Sequence, residues 1–174
     1  MSGSGIRDDD VGHGRDGSPL SPVQAARRRW LVVLARASLA ELEVIRGTID
    51  GIIGDQMTPH VLRQPEIGMA MLRGRMGGTG QVFNFSEITL TRCTLQLADG
   101  RLGCAYMTGR RKNEARLAAL IDALLQDPEH GETLIALTID PLAAEQAERA
   151  RRLVARSVPT KVEFFTLVRG ENPA

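Results

Sequence analysis

The sequence predicts an α+β fold: an antiparallel sheet with an N-terminal helix pair and two further helices packed on one face. Three observations lead there. Two serines, Ser21 and Ser38, each stand three residues before a Gln or Glu, so two helix starts occur in tandem. Alternating apolar runs flank an Asp99-Gly100 dipeptide, the signal of a β-hairpin. Farther on, two stretches carry apolar residues at helical spacing.

The first helix opens at Ser21-Pro22-Val23-Gln24, with Ser as cap and Pro at the first helical position. It aligns Trp30, Val33, Leu34 and Ala37, which mark its core side. The run Arg27-Arg28-Arg29 reads as a solvated or partner-facing side. A second helix follows from Leu39 to about residue 49 and ends near Gly51. From His60 the pattern turns strand-like, and Pro65-Glu66 reads as a turn between two strands, "HVLRQ" and "IGMAMLRGRM". If Asp99 and Gly100 alone form the next hairpin loop, Leu97 faces Leu102, Leu95 faces Cys104 and Cys93 faces Tyr106. That register puts both cysteines on one buried face as diagonal neighbours, free thiols of the core.

"NEARLAALIDALLQ" places Leu117, Leu120, Ile121 and Leu124 on one stripe of an amphipathic helix, with Asp122 read as a surface acid or interface contact. Asp140-Pro141 predicts a fresh helix start. Its apolar side is Leu142, Ala143, Ala147, Ala150, Leu153 and Val154; its polar side carries Arg149, Arg151, Arg152 and Arg156. Pro159 ends it, and "KVEFFTLVRG" reads as a closing strand.

Composition narrows the function classes. The 174 residues suit one domain, read as residues 22–174. Residues 1–21 are rich in Gly, Ser and Asp with almost no apolar content, and are expected to form a disordered tail rather than a signal peptide. A net charge of +1 and few aromatic residues argue against nucleic acid as a partner. No apolar run is long enough to span a membrane. Cys93, Cys104, His13, His60 and His130 show no metal-ligand spacing, so neither a metal nor a cofactor is expected in this chain. With two cysteines and no secretory signal, a cytoplasmic location is expected.

"RMGGTG", residues 75–80, has the glycines of a phosphate loop but not its pattern. No Lys-Ser or Lys-Thr pair follows at P-loop spacing, and the dinucleotide fingerprint fails after Gly80. The loop reads as a glycine-shaped connection between strands. No Ser–His–Asp set and no paired carboxylates with a recognisable role appear anywhere.

Taken together, "RMGGTG" (75–80), "TLTRC" (89–93), "LADGRLG" (97–103), "GRRK" (109–112), "ALIDALLQ" (119–126) and "KVEFFTLVRGEN" (161–172) resemble the PhnG family, the G subunit of carbon–phosphorus lyase. The motifs keep the family's order and span about residues 22–173. The resemblance implies a non-catalytic subunit of phosphonate catabolism, assembled with the H, I and J subunits. The complex so implied transfers the ribose triphosphate of ATP to an alkyl phosphonate and releases adenine. The nucleosidase-like chemistry of that step belongs to the I subunit, and the later radical, iron–sulfur cleavage to the J subunit.

Within the matching motifs, Arg75, Gly77, Gly78, Gly80, Arg92, Arg110 and Arg169 are the candidate substrate-binding or interface residues. Arginine suits either role, through intersubunit salt bridges or through bidentate contact with a triphosphate or phosphonate. Two departures from the family pattern stand out. Glu114, Ala115 and Arg116 replace a usual His-Ala-Glu, so a histidine acid or base does not carry over, and Ser86 stands where glycine is common.

Overall fold

The computed structural model describes residues 19–54, 58–75 and 81–157. The expected tail, except its last three residues, and the expected closing strand lie outside them. Helices α1 (Pro22–Arg36) and α2 (Leu39–Ile53) come first, then strands β1 (His60–Arg75), β2 (Val82–Gln96) and β3 (Leu102–Thr108). Helix α3 (Lys112–Leu124) follows. A continuous helical run then closes the described chain: α4 (Gly131–Leu134), a π-helical stretch (Ile135–Ile139) and α5 (Asp140–Ser157). The three strands form an antiparallel meander in the order β1-β2-β3, so the α+β prediction holds.

Both predicted capping boxes form. Ser21 Oγ accepts from Gln24 N at 3.3 Å while Ser21 N donates to Gln24 Oε1 at 2.9 Å. At Ser38 the reciprocal bonds to Glu41 are 3.3 and 2.7 Å. Each box satisfies helix-end N–H groups that have no partner within the helix. Trp30, Val33, Leu34 and Ala37 are all buried, as their spacing requires. Helix α2 runs past residue 49 to Gly54, whose φ of 79° ends it.

Pro65-Glu66 does not make a turn. Residues 60–75 form one strand of 16 residues. The ladder absorbs the proline in an irregularity between Arg63 and Glu66, which pair with Thr94 and Arg92. Because β1 is an edge of the sheet, the missing N–H is tolerated there.

The β2–β3 hairpin corrects the expected register by one residue. Leu97 N donates to Arg101 O at 2.9 Å and Gly100 N to Leu97 O at 3.0 Å, so the loop has three residues, Ala98 to Gly100. Gly100 closes it at φ 91°, a left-handed position that glycine enters without strain. Cys93 therefore pairs with Ala105 and Thr94 with Cys104. Since side chains alternate along a strand, the one-residue shift sends the cysteines to opposite faces. Cys93 is buried in the core; Cys104 is half-buried on the other side; both are free thiols. Burial pushes both thiols above the usual 9.0, and for Cys104 the Asp122 carboxylate adds to the effect.

Helix α3 lies on the face carrying Cys93, Leu95, Leu97, Ala105 and Met107, all buried. Close approach rests on small residues. A Cβ at Gly103 would stand 1.9 Å from the Ala119 carbonyl oxygen. The stripe that meets the sheet is thus Ala115, Ala118, Ala119 and Asp122 with Ile121 and Leu124, while Leu117 and Leu120 are only partly buried. Helices α1 and α2 pack on α3, and α5 packs on α1 rather than on the sheet.

Helix α5 begins at Asp140, as expected, but Asp140 is itself helical and not a cap, because the helical run arrives from upstream. Pro141 lacks an N–H and its ring crowds the carbonyl four residues back, so the preceding turn widens into the π-helical stretch. Inside it Thr138, buried, donates its hydroxyl to Leu134 O at 2.6 Å.

Two predictions follow from this packing. Gly103→Ala forces Cβ into a main-chain carbonyl and should destabilise the fold by at least about 1–3 kcal/mol, the range for overpacking. A thermal melt within a degree of the parent would contradict it. The pH dependence comes from capping and turn carboxylates. The N–H of Ser38 holds Glu41 below its usual 4.5, and the N–H of Arg101 holds Asp99 below its usual 3.8. Groups with depressed values stabilise fully above their ordinary values and lose that contribution as pH falls through the folded-state ones. The melting temperature should therefore be flat from pH 7 to about 5 and fall below about 4, as a pH series of melts would show.

Candidate functional site: a buried carboxylate, scattered arginines and a projecting arm

Asp122 is fully buried, not on the helix surface as its sequence position suggested. Four donors converge on its carboxylate: Arg27 Nη2 at 2.6 Å, Arg27 Nε at 3.1 Å, Trp30 Nε1 at 2.8 Å and the main-chain N of Cys104 at 2.9 Å. Arg27 also donates to Leu102 O at 2.9 Å, and Gln126 Nε2 reaches the same carbonyl at 2.8 Å. Arg27 is thus half-buried, which corrects its reading as a solvated residue; the hydrogen bonds it donates to the Asp122 carboxylate raise its pKa above the ordinary guanidinium value. With its acceptor sites occupied by four donors, the Asp122 carboxylate is a structural joint and not a proton acceptor for chemistry. The sequence held a signal for it: residues 115, 118, 119 and 122 share one helical stripe, so the acid sits among core alanines.

A second joint lies at the end of β3. Thr91, fully buried, donates Oγ1 to Gly109 O at 2.6 Å and accepts from Arg111 N at 2.9 Å. Arg111 reaches across to the Ala35 and Ala37 carbonyls at the end of α1. In the "GRRK" motif it is therefore Arg111 that ties the end of β3 to the end of α1.

The candidate arginines among the described residues do not converge. Arg92 sits on the sheet face away from α3 and shares Glu66 with Arg63, at 2.6 and 2.5 Å. These two arginines hold the Glu66 carboxyl below its usual 4.5. Arg110 is exposed in the turn after β3 and makes no ion pair among the described residues. Arg75 ends β1, nine residues beyond Glu66, which at strand spacing is about 30 Å. Gly77, Gly78, Gly80 and Arg169 lie outside the described residues. Among the described residues no three His, Cys, Asp or Glu side chains come together as metal ligands.

What the surface does offer is apolar area. A groove of about 510 Å³ runs between α1 and β3 over Leu31, Ala35 and Tyr106. Another of about 550 Å³ lies between α1 and α5, floored by Val32, Val33, Ala143 and Ala147 and edged by Arg28, Arg29 and Arg36. Of the apolar side expected for α5, only its start is covered: Leu142 is buried, whereas Leu153 and Val154 stand about two-thirds exposed. The β1–β2 hairpin also extends beyond the body of the sheet, because β3 pairs only with residues 90–96 of β2. Ile67, Met69, Met71, Val82, Phe83 and Phe85 are exposed along it. Sequence reading placed the strand "IGMAMLRGRM" that forms half of this arm, but not how far it and β2 run beyond β3.

An α+β scaffold with a buried ionic joint and several open apolar surfaces among its described residues defines a class: a protein built to be completed by contact. The chain belongs to the PhnG family, for the model of the phosphonate metabolism protein PhnG matches residues 25–170. It is also 40% identical, over 148 residues, to the alpha-D-ribose 1-methylphosphonate 5-triphosphate synthase subunit PhnG of Rhizobium meliloti (strain 1021), an alignment covering 85% of this chain and 92% of that protein.

Removing one partner of the buried pair strands the other. Asp122→Ala and Arg27→Ala should each cost about 3–5 kcal/mol, and the double variant clearly less than their sum. Urea unfolding of the three variants measures this; strict additivity would mean the two side chains do not depend on each other.

Proposed function

We propose that this chain is a subunit of a carbon–phosphorus lyase complex in phosphonate catabolism. In this reading it supports transfer of the ribose triphosphate of ATP to an alkyl phosphonate, with release of adenine. Its contribution is structural: it assembles with the H, I and J subunits, in the cytoplasm, and holds no cofactor of its own. The observation that carries the reading is the likeness, across 85% of the chain, to a protein named as a subunit of the synthase of alpha-D-ribose 1-methylphosphonate 5-triphosphate.

The surface supports it. Sixteen large apolar side chains are exposed among the described residues, and six of them gather on the arm, with two more side by side on α5. Where arginine partners can be followed, they are internal: Arg27 serves Asp122, Arg111 the end of α1, and Arg92 serves Glu66. No helix among the described residues is long and apolar enough to cross a membrane. Arg75, Gly77, Gly78, Gly80, Arg92, Arg110 and Arg169 are, in this reading, positions that shape or meet subunit contacts.

Co-expression of the tagged chain with the H, I and J subunits tests the proposal. Native mass spectrometry of the eluate should show one stoichiometric assembly, and the isolated chain should bind neither ATP nor methylphosphonate. A chain recovered alone, monomeric and indifferent to its partners would refute it. Within the assembly, Arg110→Ala should leave adenine release within about twofold, since an exposed surface residue contributes little; loss of turnover in an intact assembly would instead place Arg110 at the substrate.

A further inference from the structure

We propose that the projecting β1–β2 arm, residues 67–75 and 82–89, is the docking element of this chain, and that its occupant is an apolar cleft rimmed by carboxylates on a different protein subunit. The inference rests on the subunit reading above and names the surface that serves it.

Among the described residues the arm is a two-stranded ribbon. Where β3 leaves the sheet, Gly109 N makes its last bond, to Thr89 O at 2.8 Å, and among the described residues β1 is the only strand that pairs with residues 82–88 of β2. Two-stranded ribbons are marginal in water, and their unpaired edges invite another chain. This one is also apolar on both faces. Residues 67, 69 and 71 share the face that α3 covers farther back, yet all three are exposed, Met69 to 71%. The other face carries Phe83 and Phe85, ring centroids 6.3 Å apart in an edge-to-face pair. The Phe85 ring lies over Gly74, where an added Cβ would meet it at 3.1 Å. An irregularity at Phe85 makes this possible: Leu72 pairs with Ser86 and Arg73 with Asn84, so Phe85 is the extra residue of a bulge. A glycine and a bulge that together bed a phenylalanine on a solvent-exposed ribbon shape a specific surface, not a loose end.

Charge selects the occupant. Along one face β1 reads Ile67, Met69, Met71, Arg73, Arg75, apolar near the body and basic at the far end. The arm itself, residues 67–75 and 82–89, carries two arginines, Arg73 and Arg75, against one glutamate, Glu87. Two copies laid arm on arm would oppose like charge, whereas an acidic rim around an apolar cleft complements both features.

Methionine footprinting and an arm variant test this on the full chain, alone and co-expressed with the H, I and J subunits. Dilute peroxide should oxidise Met69 and Met71 in the free chain far faster than buried Met107, and their oxidation should slow at least about tenfold in the assembly. The double variant Met69→Glu/Met71→Glu should melt like the parent, both positions being exposed, yet recover at most about a tenth of the partner subunits. An assembly in which Met69 and Met71 oxidise at the free-chain rate, or one that the double variant joins normally, would overturn the arm while leaving the subunit reading intact. Protection that appears in the free chain with a two-copy mass would make a second copy the occupant and overturn the partner proposed. A wild-type chain that joins nothing and stays unprotected would end both readings.

Discussion

The buried Asp122 carboxylate is the interaction on which the body of the molecule depends. It belongs to α3, yet its four donors come from α1 and from the edge strand β3. A carboxylate without donors would not survive in that position, since desolvating a charge costs several kcal/mol unless bonds replace the lost water. Three elements are therefore fixed relative to one another by one side chain. The same arrangement answers an edge problem: Leu102 O and Cys104 N point outward from β3, and Arg27, Gln126 and Asp122 occupy them.

Around this joint the other polar contacts repeat one pattern, an arginine tying a helix end to a distant turn. Arg101 bonds Leu124 O at the end of α3 and pairs with Asp127 at 3.1 Å. Arg111 does the same for the end of α1. Helix ends leave carbonyls without partners, and a guanidinium can serve two at once. The arginine content that first suggested phosphate chemistry is thus in good part spent on holding the fold. That leaves the apolar surfaces as the features without an internal purpose, and assembly as what they serve. The body is rigidly tied, while the arm extends from it as an ordered ribbon with little of its own to bury against.

Much of the element plan was legible in the sequence, because its signals are short. A Ser with Gln or Glu three residues later caps a helix through contacts made within that turn, and both boxes formed where they were expected. The hairpin at Asp99-Gly100 was equally plain. What failed was anything that needed a count or a context. Three loop residues rather than two moved Cys104 to the other face. Pro65 read as a turn until its place on a sheet edge made it harmless. Asp140-Pro141 read as a fresh start until the upstream turn widened to admit the proline. The resemblance identified the family but not the division of labour among its arginines, which for Arg27, Arg101 and Arg111 depends on contacts 23 to 95 residues apart.

The sequence by itself determined where the first two helices begin, where β2 turns back toward β3 and which family the chain belongs to, since these are written in neighbouring residues. Only the tertiary structure decided that Asp122 is a buried joint, that Arg111 closes the end of α1, and that β1 and β2 outrun the third strand. The reason is physical. Capping and turn bonds close within four residues, whereas burial and register are set by whichever distant group arrives to exclude water or supply the missing hydrogen bond.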